Sequence, residues 1–288
     1  MLWGFQLEFK QSLRTKKFWV ILGIMILLYI PVFYIIKSIG GSEITVQGAM
    51  AFLIQFVTGM AGFFIGILAL LMGATAINSE VEKGTLRVAM SKPIKRISYI
   101  GGKFLAHSSV LLFALLLSTL VGILGVVWLG APLTGELVRD VLILNMLLLL
   151  AMIQLVALGY IISTFVKSSS SALGLALVLA FVMFLIMPNV VSYMTYKAAG
   201  HNPNMGYDEY QQLQKEYTTK YLFYVPTSQV GVITKDVSTT SKDNLSNVTY
   251  NGMPYAIKKN PTNLGILIGL TLVYLGIGFY RFTRMDLR

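Results

Sequence analysis

The chain has 288 residues, of which 56% are hydrophobic and only 12% are charged, and its formal net charge is +11. This composition is too apolar for a water-soluble domain and indicates a polytopic membrane protein. The chain has no cysteine, which excludes disulfides. The two histidines, His107 and His201, lie far apart with no ligand-like spacing around them, so we expect no metal site.

Residues 1–17 predict an amphipathic helix. Apolar side chains, including Trp3 and Phe5, alternate with polar ones, and the segment ends in a basic cluster at Lys16 and Lys17. We interpret it as an interfacial helix that lies on the membrane surface with its aromatic side chains in the headgroup region.

Six later segments are long and apolar enough to cross about 30 Å of hydrocarbon. They are residues 18–36, 52–77, 104–129, 141–166, 172–195 and 264–280. Apart from His107 near a boundary, none of them contains an acidic or basic side chain. The sequence therefore predicts an all-α polytopic membrane protein in which residues 1–288 form a single six-span transmembrane domain.

The distribution of basic residues predicts the orientation of the spans. With the N-terminus in the cytoplasm, 14 Lys and Arg residues fall on the cytoplasmic side and nine on the other, seven of them in the long segment 196–263. The positive-inside rule then predicts that both termini are cytoplasmic. We expect the protein in the plasma membrane. Because the basic residues lie beside the bilayer, we expect them to interact with anionic membrane lipids. We expect no binding of nucleic acid.

Two features inside the spans predict contacts between helices. Polar groups at membrane depth usually form interhelical hydrogen bonds, and glycines allow two helix backbones to approach closely. The conspicuous polar or helix-breaking residues are Asn145, Gln154, Pro188 and Asn189, and the glycines of the second span are Gly59, Gly62, Gly66 and Gly73.

Residues 196–263 form the one sizeable segment outside the membrane, and we expect it on the extracytoplasmic side. Its composition predicts a helix at 208–221 and turns or loop at 235–263. Residues 221–226 are apolar and aromatic, which is typical either of a lid or re-entrant element or of an ordinary surface strand. Two adjacent glycosylation sequons begin at Asn244 and Asn247.

Residues 78–103 form a charged loop between the second and third spans. Glu80 and Glu82 begin a short predicted helix, Gly84 allows another backbone to approach closely, and Pro93 ends or redirects the segment. The loop therefore presents charges of both signs on a short tether. In a protein–protein contact, such a surface determines which partner binds and in which position, and contributes less to the binding affinity.

The order of residues in this loop resembles the cytoplasmic loop of ABC type-2 transporter permeases. The resemblance rests on Glu80-x-Glu82-x-Gly84-Thr85-Leu86, then Pro93-Ile94-x-Arg96, then Lys103. The interfacial helix and the segment between spans five and six also match that family's layout, so the resemblance covers essentially the whole chain. The outer segment, at 68 residues, is longer than is common in the family, which suggests an added role for it.

The resemblance implies the permease subunit of an ATP-driven ABC transporter, with two ABC ATPase subunits and a second permease copy or a related permease as partners. It implies that the loop carries a coupling helix and that Lys103 anchors the re-entry into the membrane. The residues that would contact or shape the groove of the ATPase are Glu80, Glu82, Gly84, Thr85, Leu86, Pro93 and Arg96. ATP and Mg²⁺ would bind the partner, since Gly102-Lys103 is followed by Phe104 and no phosphate-binding loop is formed. We therefore expect no cofactor and no catalytic residue on this chain.

The sequence identifies no residue of a substrate path. Because no acidic or basic side chain lies at membrane depth, it favours export of a hydrophobic or amphipathic cargo, such as a lipid, a drug-like compound or a peptide, over transport of an ion.

Three alternatives stay open. A loop that only binds anionic lipid would need its basic residues but not the Glu pair or the Gly-Thr-Leu order. A mechanotransmission scaffold would use the ATPase to act on an extracytoplasmic partner through residues 196–263. A membrane-embedded enzyme would use the carboxylates of Asp208, Glu209 and Glu216, although no nucleophile and base accompany them.

Overall fold

The structure, a computed structural model, describes residues 2–39, 46–91, 95–200, 205–240 and 248–285. Within these ranges helices predominate, and the other regular element is one short β-hairpin. In chain order the elements are α1 (Leu2–Arg14), α2 (Lys16–Ile39), α3 (Val46–Thr75), α4 (Asn78–Glu82), α5 (Thr85–Met90), α6 (Arg96–Trp128), α7 (Gly135–Phe165), α8 (Ser169–Phe181), a π-helical segment (Val182–Ile186), α9 (Met187–Ala199), α10 (Tyr207–Tyr221), α11 (Pro226–Lys235), β1 (Ser238–Thr240), β2 (Val248–Tyr250), α12 (Met253–Lys259) and α13 (Pro261–Arg284).

In the part of the chain that the structure describes, six helical runs are long and apolar enough to cross a membrane. Spans 1 to 6 are Phe18–Ser38, Val46–Glu82, Arg96–Trp128, Gly135–Phe165, Ser169–Ala199 and Pro261–Arg284. The predicted all-α polytopic architecture with six transmembrane helices is therefore confirmed. Several of the helices are longer than the predicted apolar runs, because polar turns such as residues 96–103 continue the helix beyond the apolar stretch.

Spans 2 and 4 form the centre of the bundle. In the most apolar 18-residue stretch of each of these two spans, 67% and 61% of the residues are buried. The corresponding value is 22% in each of spans 1, 5 and 6. A Cβ atom at Gly73 would collide with the carbonyl oxygen of Val156, and one at Gly159 would lie 2.7 Å from the Cα atom of Gly73. The backbones of α3 and α7 therefore touch at Gly73, as predicted for the glycines of span 2, whereas Gly59 has open space around it.

The two ends of the bundle differ. One end, which we call the terminal face, carries α1, α4, α5 and the C-terminal end of α13. The opposite end, the distal face, carries α10, α11, α12 and the antiparallel hairpin, in which Thr239 pairs with Thr249. Because the number of spans is even, α1 and the C-terminal end of α13 lie on the same face.

The segment between spans 5 and 6 contains more regular structure than its composition predicts. The helix predicted at 208–221 is confirmed as α10. The surface strand considered for residues 221–226 is wrong, because these residues turn into α11. Val230 and Ile233 of that helix are fully buried, and α11 packs against α3, α7 and α13.

The turns or loop predicted for residues 235–263 are also wrong in part, because the hairpin and α12 form there. These elements are too short and too polar to show a periodic pattern. Hydrogen bonds to the carboxylates of Asp140 and Asp236 hold these elements in place. The sequons at Asn244 and Asn247 begin outside the described residues.

Two polar side chains of span 4 join it to its neighbours. Thr119 of span 3 donates a hydrogen bond to Oδ1 of Asn145 at 3.1 Å, and Thr271 of span 6 donates to Oε1 of Gln154 at 3.4 Å. The predicted interhelical role of these two residues is confirmed.

Pro188 has a different consequence in span 5. A proline lacks the backbone N–H group and crowds the preceding turn, and the π-helical segment immediately before α9 accommodates this change in hydrogen bonding. Asn189 donates from Nδ2 to the carbonyl oxygen of Leu185 at 2.7 Å. Its side chain therefore satisfies its own helix and does not reach a neighbouring one.

Candidate functional site

The loop between spans 2 and 3 folds into two short helices fixed to the bundle. Gly84 separates α4 from α5 with a φ of 69°, a left-handed conformation that favours glycine. At the start of α4, the backbone N–H groups of Ile77 and Asn78 donate to Oγ of Ser163 in span 4, at 3.0 and 3.1 Å. Leu86 anchors α5 with a side chain that is 1% exposed.

A buried ion cluster connects this loop to α1 and α6. Nζ of Lys103 donates to Oε1 of Glu80 at 2.8 Å and to Oε2 of Glu8 at 3.0 Å. The exposed fraction of the Lys103 side chain is only 4%. Carboxylates from α1 and α4 therefore meet on one ammonium group from α6, which gives each buried charge the partner it needs.

Two tyrosines and a histidine complete the ion cluster. The hydroxyl of Tyr99 donates to Oε2 of Glu80 at 2.7 Å. Nε2 of His107 lies 3.0 Å from Oε1 of Glu8, and its Nδ1 lies 3.0 Å from the hydroxyl of Tyr160. A neutral imidazole with its hydrogen on Nε2 satisfies both contacts, since it donates to Glu8 and accepts from Tyr160. The network thereby extends from α1 to α7.

The surroundings of Glu8 keep its carboxylate ionised. Burial raises the pKa of Glu8, but the hydrogen bond from His107 and the positive charge of Lys103 outweigh this effect and lower the pKa from 4.5 to about 2. The ion pair between α1 and α6 is therefore present throughout the physiological pH range.

Two further contacts tie the loop to spans 5 and 6. Oε1 of Glu82 accepts a hydrogen bond from the backbone N–H of Ser169 at 2.8 Å, at the start of α8, where the helix dipole favours negative charge. The guanidinium group of Arg96 donates to the carbonyl oxygens of Thr283 and Met285 at 3.1 and 2.8 Å. These carbonyls lie at the end of α13, where helical partners are missing and a cation is favourable.

The other predicted site residues are partly buried, exposed or undescribed. Gly84 is half-buried and Thr85 is exposed, and beside them Val88 of α5 is 67% exposed. Pro93 lies outside the described residues. The structure thus brings Glu80 and Lys103 together below the loop and leaves the outer surface of α5 accessible.

The family comparison agrees with this architecture along the whole chain. The sequence profile described as ABC-2 family transporter protein matches residues 2–287. The chain belongs to this family. It is a membrane permease subunit of an ABC transporter.

The ABC-2 permease is also similar to a curated relative from Pseudomonas aeruginosa, "Probable ABC transporter permease protein NosY". The two are 31% identical over 150 residues, which is 50% of this chain and 53% of the relative. The match therefore spans about half the length of that protein.

Sequence reasoning missed four of the six residues of the ion cluster in this permease. It did not assign Glu8, Tyr99, His107 or Tyr160 to any site. One signal was present, because Glu8 is the single acidic residue in the basic segment 1–17.

Within the described ranges, no group of three or more His, Asp or Glu side chains could hold a metal ion.

Proposed function

We propose that this permease exports a hydrophobic or amphipathic compound, such as a lipid, a drug-like molecule or a peptide, out of or across the plasma membrane. Two permeases, either two copies of this chain or this chain with a related one, would assemble with two ATPase subunits. The ATPases would bind ATP and Mg²⁺ and hydrolyse ATP, and this chain would bind neither. The terminal face would be cytoplasmic, in keeping with its basic residues.

One observation carries the proposal, which is the attachment of the loop to several spans at once. Glu80 joins α4 to span 3 through Lys103, and Glu82 contacts the start of span 5. Arg96, at the other end of the loop, contacts the end of span 6. A displacement of α4 would therefore act directly on spans 3 and 5, and span 3 is in turn joined to span 6 through Arg96. A loop that only attracted anionic lipid would not need these contacts.

The exposed side of the loop supports docking of an ATPase. Thr85 and Val88 are exposed on α5, and Glu82 and Lys83 are exposed just before it. An exposed apolar side chain surrounded by charges of both signs is typical of a specific protein contact. The ATPase would therefore contact the outer surface of α5, while the buried ends of Glu80 and Arg96 transmit its movement.

The exposed apolar surfaces of spans 1 and 5 support pairing of two permeases. Only 22% of the residues in the most apolar 18-residue stretch of each span are buried within the chain. Large apolar side chains are exposed along both, including Leu27 and Ile30 on span 1 and Val178 and Phe181 on span 5. Lipid and a second permease are the two environments that suit such surfaces.

The proposal is tested by copurification of the ATPase. The tagged permease is expressed with the ATPase genes of its host, purified in mild detergent, and assayed for bound ATPase protein and activity. We expect Glu82→Arg and Val88→Glu to lose the ATPase, because both change the exposed side of the loop. The matched controls on the distal face, Glu209→Arg and Val138→Glu, should retain it.

A second variant separates docking from transmission. Glu80→Gln removes a buried charge without changing the exposed surface, so the ATPase should remain bound while its rate of hydrolysis changes several-fold.

Wild-type levels of bound ATPase with both Glu82→Arg and Val88→Glu would rule out docking on this loop. Absence of any copurifying ATPase would remove the main support for the proposed function.

A further inference from the structure

A cavity of about 460 Å³ opens on the terminal face beside the ion cluster. Its walls come from α1, the first residue of α2, the end of α3, α4 and α6, with Ser169 at the start of α8. The volume lies in the range of roughly 300–1,000 Å³ that is usual for small-ligand sites. A ligand in this cavity would contact α1 and α4, which the ion cluster also joins.

The cavity is amphipathic. Leu68, Leu71 and Met72 line one part of it, and they belong to the last turns of the membrane-crossing α3. The polar part is lined by exposed side chains, among them Lys16 and Lys83. A ligand with a polar head and an apolar tail fits this division, with the head at the surface and the tail along α3.

The three carboxylates and three ammonium groups of the cavity wall cancel in formal charge, and an anionic head is favoured by which of them lack a partner. The three carboxylates in its wall are already engaged, two by Lys103 and one by the backbone N–H at the start of α8. By contrast, neither Lys16 nor Lys83 has a side-chain hydrogen bond or ion pair with another residue of the described ranges. Two unpaired ammonium groups at a membrane boundary attract the phosphate groups of lipids.

We propose that this cavity binds one phospholipid from the adjacent leaflet. Its phosphate pairs with Lys16 and Lys83, and the upper part of one acyl chain lies against Leu68, Leu71 and Met72. The bound lipid is then a shared ligand of the start of α2, the last turns of α3 and the end of α4, and it reinforces the attachment of the loop to the bundle. The site is independent of the proposed cargo and of which face is cytoplasmic.

Lipid binding to the full-length permease tests the site. The protein is delipidated in mild detergent, titrated with dioleoyl phosphatidylglycerol, and examined by native mass spectrometry for the number of lipids bound and their Kd. We expect one saturable site. Lys16→Gln and Lys83→Gln should each raise its Kd about fivefold, which is the usual contribution of one lysine near an anionic lipid surface. Lys10→Gln, an exposed α1 residue outside the cavity wall, is the matched control and should leave the Kd unchanged.

A cavity-filling variant and two other ligands identify what is recognised. Met72→Trp should abolish the saturable site, whereas Met146→Trp, on an exposed part of α7, should not. Dioleoylglycerol, which lacks the phosphate, should bind at least tenfold more weakly. Inorganic phosphate at equal concentration should not displace the lipid.

Each opposite result overturns the proposal in a different way. Equal binding of dioleoylglycerol would mean that the head is not recognised, and displacement by inorganic phosphate would mean a site for free phosphate alone. Wild-type binding in Met72→Trp and in both lysine variants would mean that the lipid only surrounds the bundle. If Met72→Trp does not fold, the Kd of a Lys16→Gln, Lys83→Gln double variant decides the question.

Discussion

The ammonium group of Lys103 lies 2.8 Å from a carboxylate oxygen of Glu80, and the two side chains are only 4% and 19% exposed. The pair joins α4 to α6 and so fixes the loop between spans 2 and 3 to the bundle. Glu8 shares the same ammonium group, which adds α1 to the joint. A buried pair of this kind strands a charge when one partner is removed.

Replacing Lys103 with methionine should therefore lower the stability of the permease. Lys103→Met leaves Glu8 and Glu80 close together without their shared cation, and we expect a loss of about 3–5 kcal/mol. Thermal unfolding in detergent measures it. Lys10→Met, exposed on α1, is the control and should be nearly neutral. Adding Glu80→Gln to Lys103→Met should recover part of the loss, and an unchanged melting temperature in Lys103→Met would contradict the prediction.

The ionisation of Glu8 should make stability depend on acid pH. Its pKa is 4.5 when unfolded and about 2 when folded, so the unfolded state binds more protons below about pH 4.5. The stabilisation, about 3 kcal/mol for such a shift, should be complete above pH 4.5 and lost as the pH falls towards 2.

Unfolding of the wild type and of Glu8→Gln between pH 2 and 6 measures this effect. The stability difference between the two proteins should be constant above pH 4.5 and shrink below it. Glu209→Gln, exposed on α10, controls for general acid effects. A difference that does not vary across this pH range would show that Glu8 has the same pKa in both states.

The spans could be predicted from the sequence because each is a long apolar run, and a run of that length leaves the chain few alternatives in a bilayer. The amphipathic pattern of residues 1–17 likewise predicted α1. The ion cluster could not be predicted, since Glu8 and Lys103 lie 95 residues apart and a single sequence contains no information on which charges pair. Lys103 was therefore expected only to anchor the chain at the membrane.

In the segment between spans 5 and 6, too, the contacts between residues that are distant in sequence could not be predicted. The helix at α10 is long and could be predicted, whereas α11 is only 10 residues long. Its burial comes from α3, α7 and α13, which are distant in sequence. Polar contacts determine the structure there more than periodicity does. For example, Asn263 donates from Nδ2 to Oε1 of Gln229 at 2.7 Å.

The backbone contact between α3 and α7 should not tolerate a methyl group. Gly73→Ala and Gly159→Ala would each place a Cβ atom against the backbone of the other helix, so the two central helices must move apart. We expect each to cost about 1–3 kcal/mol, as overpacking usually does. Gly174→Ala on α8 has open space around it and should be neutral or slightly stabilising. Thermal unfolding compares the three, and equal stability would exclude a tight backbone contact.

Asp140 should hold the distal elements in place. It is fully buried near the start of α7, where Oδ2 accepts hydrogen bonds from the hydroxyl of Tyr250 at 2.7 Å and the backbone N–H of Met253 at 2.9 Å. Oδ1 accepts from Nε of Arg139 at 2.9 Å. Burial and the bond to Asp140 raise the pKa of Tyr250, so its hydroxyl stays protonated and remains a donor.

Asp140→Leu would leave the hydroxyl of Tyr250 and the backbone N–H of Met253 without their acceptor, and stranded buried donors cost about 1–3 kcal/mol each. The Arg139 side chain is 54% exposed and can donate to water instead. Hydrogen exchange should therefore speed up in residues 248–259, which belong to β2 and α12, while exchange in α3 stays slow. Tyr250→Phe removes a single hydrogen bond and should produce a smaller increase, about tenfold at most. Glu136→Leu, one turn earlier with a side chain that is 53% exposed, should leave exchange unchanged. Unaltered exchange in Asp140→Leu would mean that packing alone holds β2 and α12 against the bundle.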